Sequence, residues 1–338
     1  MISIRDGGIM GKKRKNSKKG IDTNKFLIYA LTTIILLLVF TFYSDANELH
    51  LVDITNEIQN TNITTNNTQV SKTPPIDTGG NTLTIYFFDV GQADSILIST
   101  GGHNMLVDSG NNGDGKLITN YLKNDLEINS LEYLVGTHNH EDHIGGLDDV
   151  IKELDIQNLL LPYVSVTSTK TYENVENAAL AKNIEIQNPN IGDVFSLGNA
   201  QIAVMNVDNH EPKNKNESSI VLQVQFGSQK YLLTGDTEVT NENARTWEDI
   251  NVLKVAHHGS NTSTSEKFLN QVKPEIAIIS VGPNNSYNLP KDNIIQRLKN
   301  IGATIYRTDE VGTILLTSDG TKNEIQTLKD VCLDGNER

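Results

Sequence analysis

Thr137-His138-Asn139-His140-Glu141-Asp142-His143-Ile144-Gly145-Gly146 is the stretch whose reading decides the fold. It follows the apolar run LEYLVGT (131–137), so the histidines begin where a buried strand ends. In extended backbone, residues two apart share a side, so His138 and His140 project together. Asp142 and His143 then turn toward an adjacent point. One loop thus offers imidazoles to one metal and a carboxylate–imidazole pair to a second, a donor set suited to Zn²⁺ and acceptable to Mn²⁺ or Fe. Gly145 and Gly146 let the backbone leave close to the site and start the next helix. A polar surface loop would not ordinarily follow an apolar strand and end in Gly-Gly.

Two segments extend the constellation. Asp236 lies in YLLTGDTE (231–238), where an apolar strand delivers a Gly-Asp turn, and a carboxylate at that strand end can bridge two cations. Taken alone it would read as a turn residue or a helix cap. His257-His258-Gly259-Ser260 follows the apolar run VLKVA (252–256). Neighbours on a strand point to opposite sides, so one of the two histidines is expected at the metals while the other orients a ligand or contacts substrate. Ser260 is a candidate donor to a substrate oxyanion.

The surrounding pattern is globular from Leu83 onward. Short β-rich runs at 83–88, 95–99 and 104–108 are followed by a helical spacing at 115–126, the histidine loop, a helix at 146–154 and a strand at 157–161. Further strands are expected at 201–207, 219–226, 230–234, 252–256, 276–281, 303–306 and 313–317, with helices at 171–182, 239–248, 264–271 and 291–300. This mixture suits two sheets packed face to face with helices outside. The domain is expected over 82–320, with 321–338 as a C-terminal tail.

The N-terminal part differs in kind. Residues 1–25 hold 8 Lys/Arg against 2 Asp/Glu, in a chain whose net charge is −14. The remainder holds 20 basic and 40 acidic residues, so a basic tail precedes an acidic body. FLIYALTTIILLLVFTFY (26–43) is uncharged and just long enough to cross a bilayer as a helix. The cluster KKRKNSKK (12–19) before it predicts a cytoplasmic N-terminus and an extracellular C-terminal body on a single-pass anchor. The rival expectation is a secreted protein after signal cleavage beyond Ala46. Residues 44–81 are an Asn/Thr-rich linker. An acidic body repels polyanions at long range, so charge weighs against nucleic acid unless bound cations intervene. The single cysteine, Cys332, excludes an intramolecular disulfide and reads as an inert or surface thiol.

Taken together, HNHEDHIGG, LLTGDTE, VAHHGS, FFDVGQADSILI (87–98) and LVDSG (106–110) resemble the metallo-β-lactamase superfamily. The closer likeness is to the hydrolase domain of ComEC-type DNA-uptake competence proteins and its free-standing relatives. The resemblance covers about 82–320 and implies an α/β fold, a four-layer αββα sandwich with the site along one sheet edge. It implies metal-ligand roles for His138, His140, Asp142, His143 and Asp236, with one or both of His257 and His258 nearby. His257 is carried as the ligand, and His258 with Asp142 as the catalytic pair. Asp108 matches an aspartate that supports the histidine loop. Asp89, Gln92, Asp94, Asp108, Ser260 and Tyr287 are the candidate substrate-binding or supporting residues.

Two departures stand out. Many superfamily members place a metal-binding histidine before the bridging aspartate, where this chain has Asn216-Glu217-Ser218-Ser219. Relatives often show Tyr-x-His-Pro where this chain has Tyr287-Asn288-Leu289-Pro290. The expected function is metal-dependent hydrolysis of a phosphodiester by a metal-bound hydroxide, on two divalent cations, Zn²⁺ or else Mn²⁺. DNA and a phosphorylated envelope polymer are both open as substrates, and no protein partner is indicated. The competing expectation is a weakly active or non-catalytic surface binding protein on a degenerate hydrolase fold, which Leu289 motivates.

Overall fold

The computed structural model describes residues 81–164, 169–210 and 214–335. All of these belong to one unit, Thr73–Arg338. The basic cluster and the apolar run 26–43 lie outside the described residues, and so does nearly all of the linker. Among the described residues no helix is long and apolar enough to cross a membrane.

Fifteen strands are described. β1 (Leu83–Phe87), β2 (Ile96–Thr100), β3 (His103–Val107), β4 (Ser130–Val135), β5 (Asp155–Leu160) and β6 (Ile186–Gln187) come first. β7 (Val194–Leu197), β8 (Ala200–Asn206), β9 (Val221–Phe226) and β10 (Gln229–Leu233) follow. β11 (Val252–Lys254), β12 (Ile276–Ile279), β13 (Thr304–Arg307), β14 (Thr313–Ser318) and β15 (Asn323–Leu328) complete the set. One sheet has the order β15-β14-β1-β2-β3-β4-β5-β6 and the other β13-β12-β11-β10-β9-β8-β7.

Each sheet is part antiparallel and part parallel, and the parallel half dictates where helices fall. Parallel neighbours need a crossover. α1 (Gly115–Asn124) connects β3 to β4; α2 (Glu141–Ile144) and α3 (Leu147–Glu153) connect β4 to β5; α4 (Lys170–Ala181) connects β5 to β6. In the second sheet α5 (Val239–Ala244), α6 (Glu266–Val272) and α7 (Asp292–Asn300) link β10 through β13, and α8 (Thr308–Val311) precedes β14.

Strand alternation assigns the core. Leu83, Ile85 and Phe87 of β1 pack with residues of both sheets, including Ile202, Leu222 and Ile314. Tyr86, with Phe88 just beyond the strand, faces the other way, against Ile118, Leu122 and Val150 of the covering helices. The far face of the second sheet is covered similarly by Phe268, Leu269, Ile294 and Leu298. The layers therefore run helix, sheet, sheet, helix.

Several boundaries differ from the sequence reading. The helix expected over 239–248 stops at Ala244 because Trp247 is buried in extended chain, its indole donating to the Glu242 carbonyl at 2.8 Å. The helix expected from 264 starts at Glu266, because Ser265 caps it by accepting from Phe268 N at 3.2 Å. The stretch read as a tail is structural: β15 pairs antiparallel along the whole of β14, and Leu333 N donates to the Asp89 carbonyl at 2.7 Å.

Gly145 and Gly146 matter through space rather than torsion. Gly145 has φ −58° and Gly146 φ −92°, values open to any residue. A Cβ at Gly146 would collide with the Ser109 carbonyl and come within 2.6 Å of Gly115 Cα, backbone atoms of the loop after β3 and of the first residue of α1. Gly146→Ala should therefore destabilise the domain by about 1–3 kcal/mol, as overpacking against an unyielding backbone does. A shift in denaturant midpoint at unchanged slope would report it; an unchanged midpoint would show that the two loops can part.

Candidate metal centre

The site is built on Asp108, which follows β3 in a left-handed conformation with φ 58°. Its buried carboxylate accepts from Thr137 N at 2.7 Å, from Thr137 Oγ1 at 2.8 Å and from His143 Nδ1 at 2.7 Å. These bonds tie the end of β4 and the short helix α2 to one group. Ser109 N donates to the His143 carbonyl at 2.8 Å and Asp94 N to the Asp142 carbonyl at 3.0 Å, so the histidine loop is fastened along its length.

Asp236 lies at the centre, in the turn after β10. Its Oδ2 is 3.9 Å from His138 Nε2 and 3.7 Å from His257 Nε2. Its Oδ1 is 3.3 Å from His143 Nε2 and 3.9 Å from His258 Nε2. His258 Nε2 also stands 3.3 Å from Asp142 Oδ2, and His138 Nε2 is 3.0 Å from His140 Nδ1. Ligand atoms around a tetrahedral Zn²⁺ with bonds of ~2.1 Å lie roughly 3.4 Å apart, so these separations are those of donors around shared cations.

Three buried atoms, His143 Nε2, Asp236 Oδ1 and His258 Nε2, make no hydrogen bond among the described residues. One donor atom from each of Asp142, His143, Asp236 and His258 falls within 4.8 Å of all the others. Buried polar atoms are rarely left unpaired, and a cation among them satisfies all at once. The far ring nitrogens are already committed: His143 Nδ1 to Asp108, and His258 Nδ1 to the Ser280 carbonyl at 2.9 Å. That fixes both rings with Nε2 toward the centre. The donor set fits divalent metal.

His257 and His258 do not alternate as a strand would require. β11 ends at Lys254, and both histidines adopt left-handed torsions, with φ 51° and 50°. The tight turn brings both Nε2 atoms to Asp236, one to each oxygen, where a strand would have sent one away. Consecutive non-glycine residues in this region are strained, and an apolar strand followed by His-His gives no sequence sign of it. Asn216, in the stretch where many superfamily members carry a histidine, reaches 3.4 Å from His257 Nδ1.

The other candidates separate. Gln92 and Tyr287 line a cleft of about 340 Å³ over the cluster, and Leu289 forms part of its wall. Asp94 lies behind the cluster, 3.6 Å from His258 Nδ1. Ser260 Oγ bonds Thr262 Oγ1 at 3.1 Å within its own turn, and that hydroxyl is 3.0 Å from His257 Nδ1. Asp89 N donates to Thr313 Oγ1 and its carbonyl takes Leu333 N, so it joins the strand ends rather than the cluster. Sequence reasoning missed Lys254, fully buried and 2.8 Å from Asp94 Oδ2. Its signal was a lone lysine inside the apolar run VLKVA.

Burial pushes His138 well below the ordinary histidine range, and His140 below it too. Burial acts downward on His143 and His258 as well. It is outweighed there by the carboxylates, Asp236 first, with Asp108 and Asp142 adding at His143 and Asp142 and Asp94 at His258, so both are raised. Burial would raise Asp142 and Asp236, yet the charges of His143 and His258 hold both below the usual carboxylate range.

With fold and geometry in view, comparison with known proteins gives a family. The model of the metallo-beta-lactamase superfamily matches residues 88–282. The chain belongs to that superfamily. Its curated relatives are ComEC-type competence proteins. ComE operon protein 3 of Bacillus subtilis is 37% identical over 191 residues, covering 55% of this chain and 24% of the relative. Recombination protein 2 of Haemophilus influenzae is 32% identical over 246 residues, covering 70% of this chain and 29% of the relative. Competence protein ComA of Neisseria gonorrhoeae is 27% identical, covering 69% and 32%. The chain thus spans about a quarter to a third of the length of these relatives. Among solved structures, CmlA, a diiron beta-hydroxylase from Streptomyces venezuelae, overlays with TM-score 0.49 at 12% identity, covering 76% of this chain and 55% of that one. The metallo-beta-lactamase fold protein YhfI from Bacillus subtilis gives 0.42 at 13%, covering 66% and 95%.

The raised histidines give a signed pH prediction. In metal-free protein, protons on His143 and His258 stabilise the fold fully below the unfolded pKa of about 6.5, and this is lost as pH rises through the folded pKa. Metal must displace those protons, so its binding strengthens over the same interval. The melting-temperature gap between metal-loaded and chelated protein should widen from pH 6 to 9. A gap independent of pH would remove His143 and His258 from the ligand set.

Proposed function

We propose that this domain is a metal-dependent phosphodiesterase. The observation that carries the reading is the convergence of buried His143 Nε2, His258 Nε2 and Asp236 Oδ1, which make no hydrogen bond among the described residues, beneath an open cleft that Asp236 and His258 line. In this reading His138, His140 and His257 would hold one divalent cation with Asp236, and Asp142, His143 and His258 a second with the same carboxylate. Zn²⁺ suits the imidazole-rich set and Mn²⁺ is an acceptable replacement. Bound there, such ions supply Lewis acidity and lower the pKa of water toward neutrality.

The chain supplies the rest. Asp142 is the one ligand carboxylate with substantial exposure, its side chain 32% accessible, so it can accept the proton of an attacking water. We place His258 among the ligands, because its Nδ1 is committed to Ser280 and its Nε2 is enclosed; at 3.3 Å from Asp142 Oδ2 it also steadies that carboxylate. Asp108 holds His143 in the ligating tautomer. The names competence and recombination among the relatives favour DNA as the substrate, ahead of an envelope phosphate polymer. We further propose that residues 26–43 anchor the protein with this domain outside the membrane.

Purified protein should hydrolyse bis-p-nitrophenyl phosphate and single-stranded DNA with Mn²⁺ or Zn²⁺ and lose both activities to a chelator. His140→Ala and Asp236→Ala should each lower metal content and rate together, by more than the roughly 10–100-fold typical of an outer-shell contact. Normal metal content in both variants would sink the assignment.

Leu289 is the observation behind a weaker or non-catalytic site. It walls the cleft beside His257 and His258 and can neither coordinate metal nor carry a proton. Leu289→His should raise metal affinity or rate, the latter by up to about 10²–10⁴-fold where acid–base geometry is met. A wild type inert with every metal beside an active Leu289→His would make the binding-protein reading the better one.

A further inference from the structure

The cleft over the metal-ligating cluster continues outward. Through the shared walls Gln92, Glu141, Asp142 and Tyr287 it runs into a second hollow of about 400 Å³. Beyond those walls the hollow is lined by Asn111, Asn285 and Asp334, with Gly91 and Gly282. Among the described residues no lysine or arginine lines either part. Lys291, at the end of the same loop as Tyr287, spends its ammonium on the Tyr287 carbonyl at 2.7 Å.

Grooves that follow a polyanionic strand neutralise successive phosphates with Lys and Arg. Here the outer wall carries Glu141 and Asp334, which repel a second phosphate, so this part of the cleft suits a group without negative charge. Tyr287 offers it a surface, with the residue 65% exposed. Its loop is fastened: Asn285 Nδ2 donates to the carbonyls of Gly282 at 3.0 Å and Leu289 at 2.8 Å, and Asn285 Oδ1 accepts from Leu289 N at 3.0 Å. An aromatic ring kept in water on a fixed loop beside a cleft is a stacking platform for a planar ring. Carboxylates that repel phosphate accept hydrogen bonds from the amino edge of a base.

We propose that the outer half of the cleft is a nucleobase subsite. Resting on the phosphodiesterase reading above, the substrate is engaged through one phosphate at the ligand cluster and through the flanking base stacked on Tyr287, with no track for further phosphates.

The test compares p-nitrophenyl esters of methyl phosphate, cytidine 5′-phosphate and phosphocholine on the metal-loaded full chain. The cytidine ester should exceed the methyl ester in kcat/KM by roughly tenfold, carried by KM, as one stacked base allows. Tyr287→Ala should collapse that ratio and Tyr287→Phe should keep it. The salt dependence for an oligonucleotide should match about one phosphate, a logarithmic slope near ~−0.7. Equal rates for the cytidine and methyl esters, preference for the choline ester, a slope several times steeper, or a Tyr287→Phe variant as impaired as Tyr287→Ala would each overturn the subsite. If no ester is cleaved, the phosphodiesterase reading falls. Calorimetric titration with cytidine 5′-monophosphate of wild type against Tyr287→Ala then decides the subsite alone, with tighter binding by wild type expected and equal affinity overturning it.

Discussion

The buried carboxylate of Asp108 is the constraint on which the rest of the site depends. A charge taken out of water is costly unless fully bonded, and Asp108 receives three bonds, two from Thr137 and one from His143. Those bonds leave the loop no freedom. Thr137 closes β4 and starts the histidine run, and His143 ends it, so both ends are anchored to β3. His138 and His140 fall between the anchors. Burial pushes Asp108 itself upward against the pull of His143, so the clamp holds best while His143 keeps its Nδ1 proton. A ligand arriving at Nε2 leaves that proton in place.

The same logic governs the charge beneath the site. Asp94, Asp108 and Asp236 are each at most 2% exposed, and Lys254 is fully buried beside Asp94. Lys254 answers Asp94 and His143 answers Asp108. Asp142 and Asp236 are left facing His143 and His258. In protein without metal, protons on those two imidazoles can meet the deficit, and the carboxylates raise both, while burial outweighs the same carboxylates at His138 and His140 and lowers them. Divalent cations at the same nitrogens would take the place of those protons without disturbing the outer bonds to Asp108 and Ser280. The cluster is thus arranged around positive charge in either state.

How much of this a reader of the sequence can see follows from what local pattern encodes. The histidine loop was legible because strand alternation and a Gly-Gly exit are local signals. Asp236 was legible because it stands at the end of an apolar run. The turn at His257-His258 was not, because two left-handed non-glycine residues are imposed by packing and not by propensity. β15 was missed because NEIQTL (323–328) is largely exposed on one face and polar, an edge strand whose partner is fixed by β14 rather than by its own composition. β6 and β7, of two and four residues at the sheet edges, are too short to show an alternating pattern. The boundary errors at Trp247 and Ser265 have local causes, a buried indole and a cap, that only the fold makes visible.

The acidic body then acquires a chemical sense. With 20 basic residues against 40 acidic beyond residue 25, that part of the chain repels polyanions as a whole. Cations held by the cluster would reverse that sign over one short stretch, the floor of the cleft, and a Debye length of about 8 Å at physiological ionic strength would keep the reversal local. On the proposed reading a phosphate is favoured where Asp236 gathers the imidazoles and disfavoured in the outer hollow, at Glu141 and Asp334. Affinity of this kind depends on metal occupancy far more than on length of substrate. That reading would separate this cleft from grooves that grip nucleic acid by charge, where every additional phosphate adds affinity.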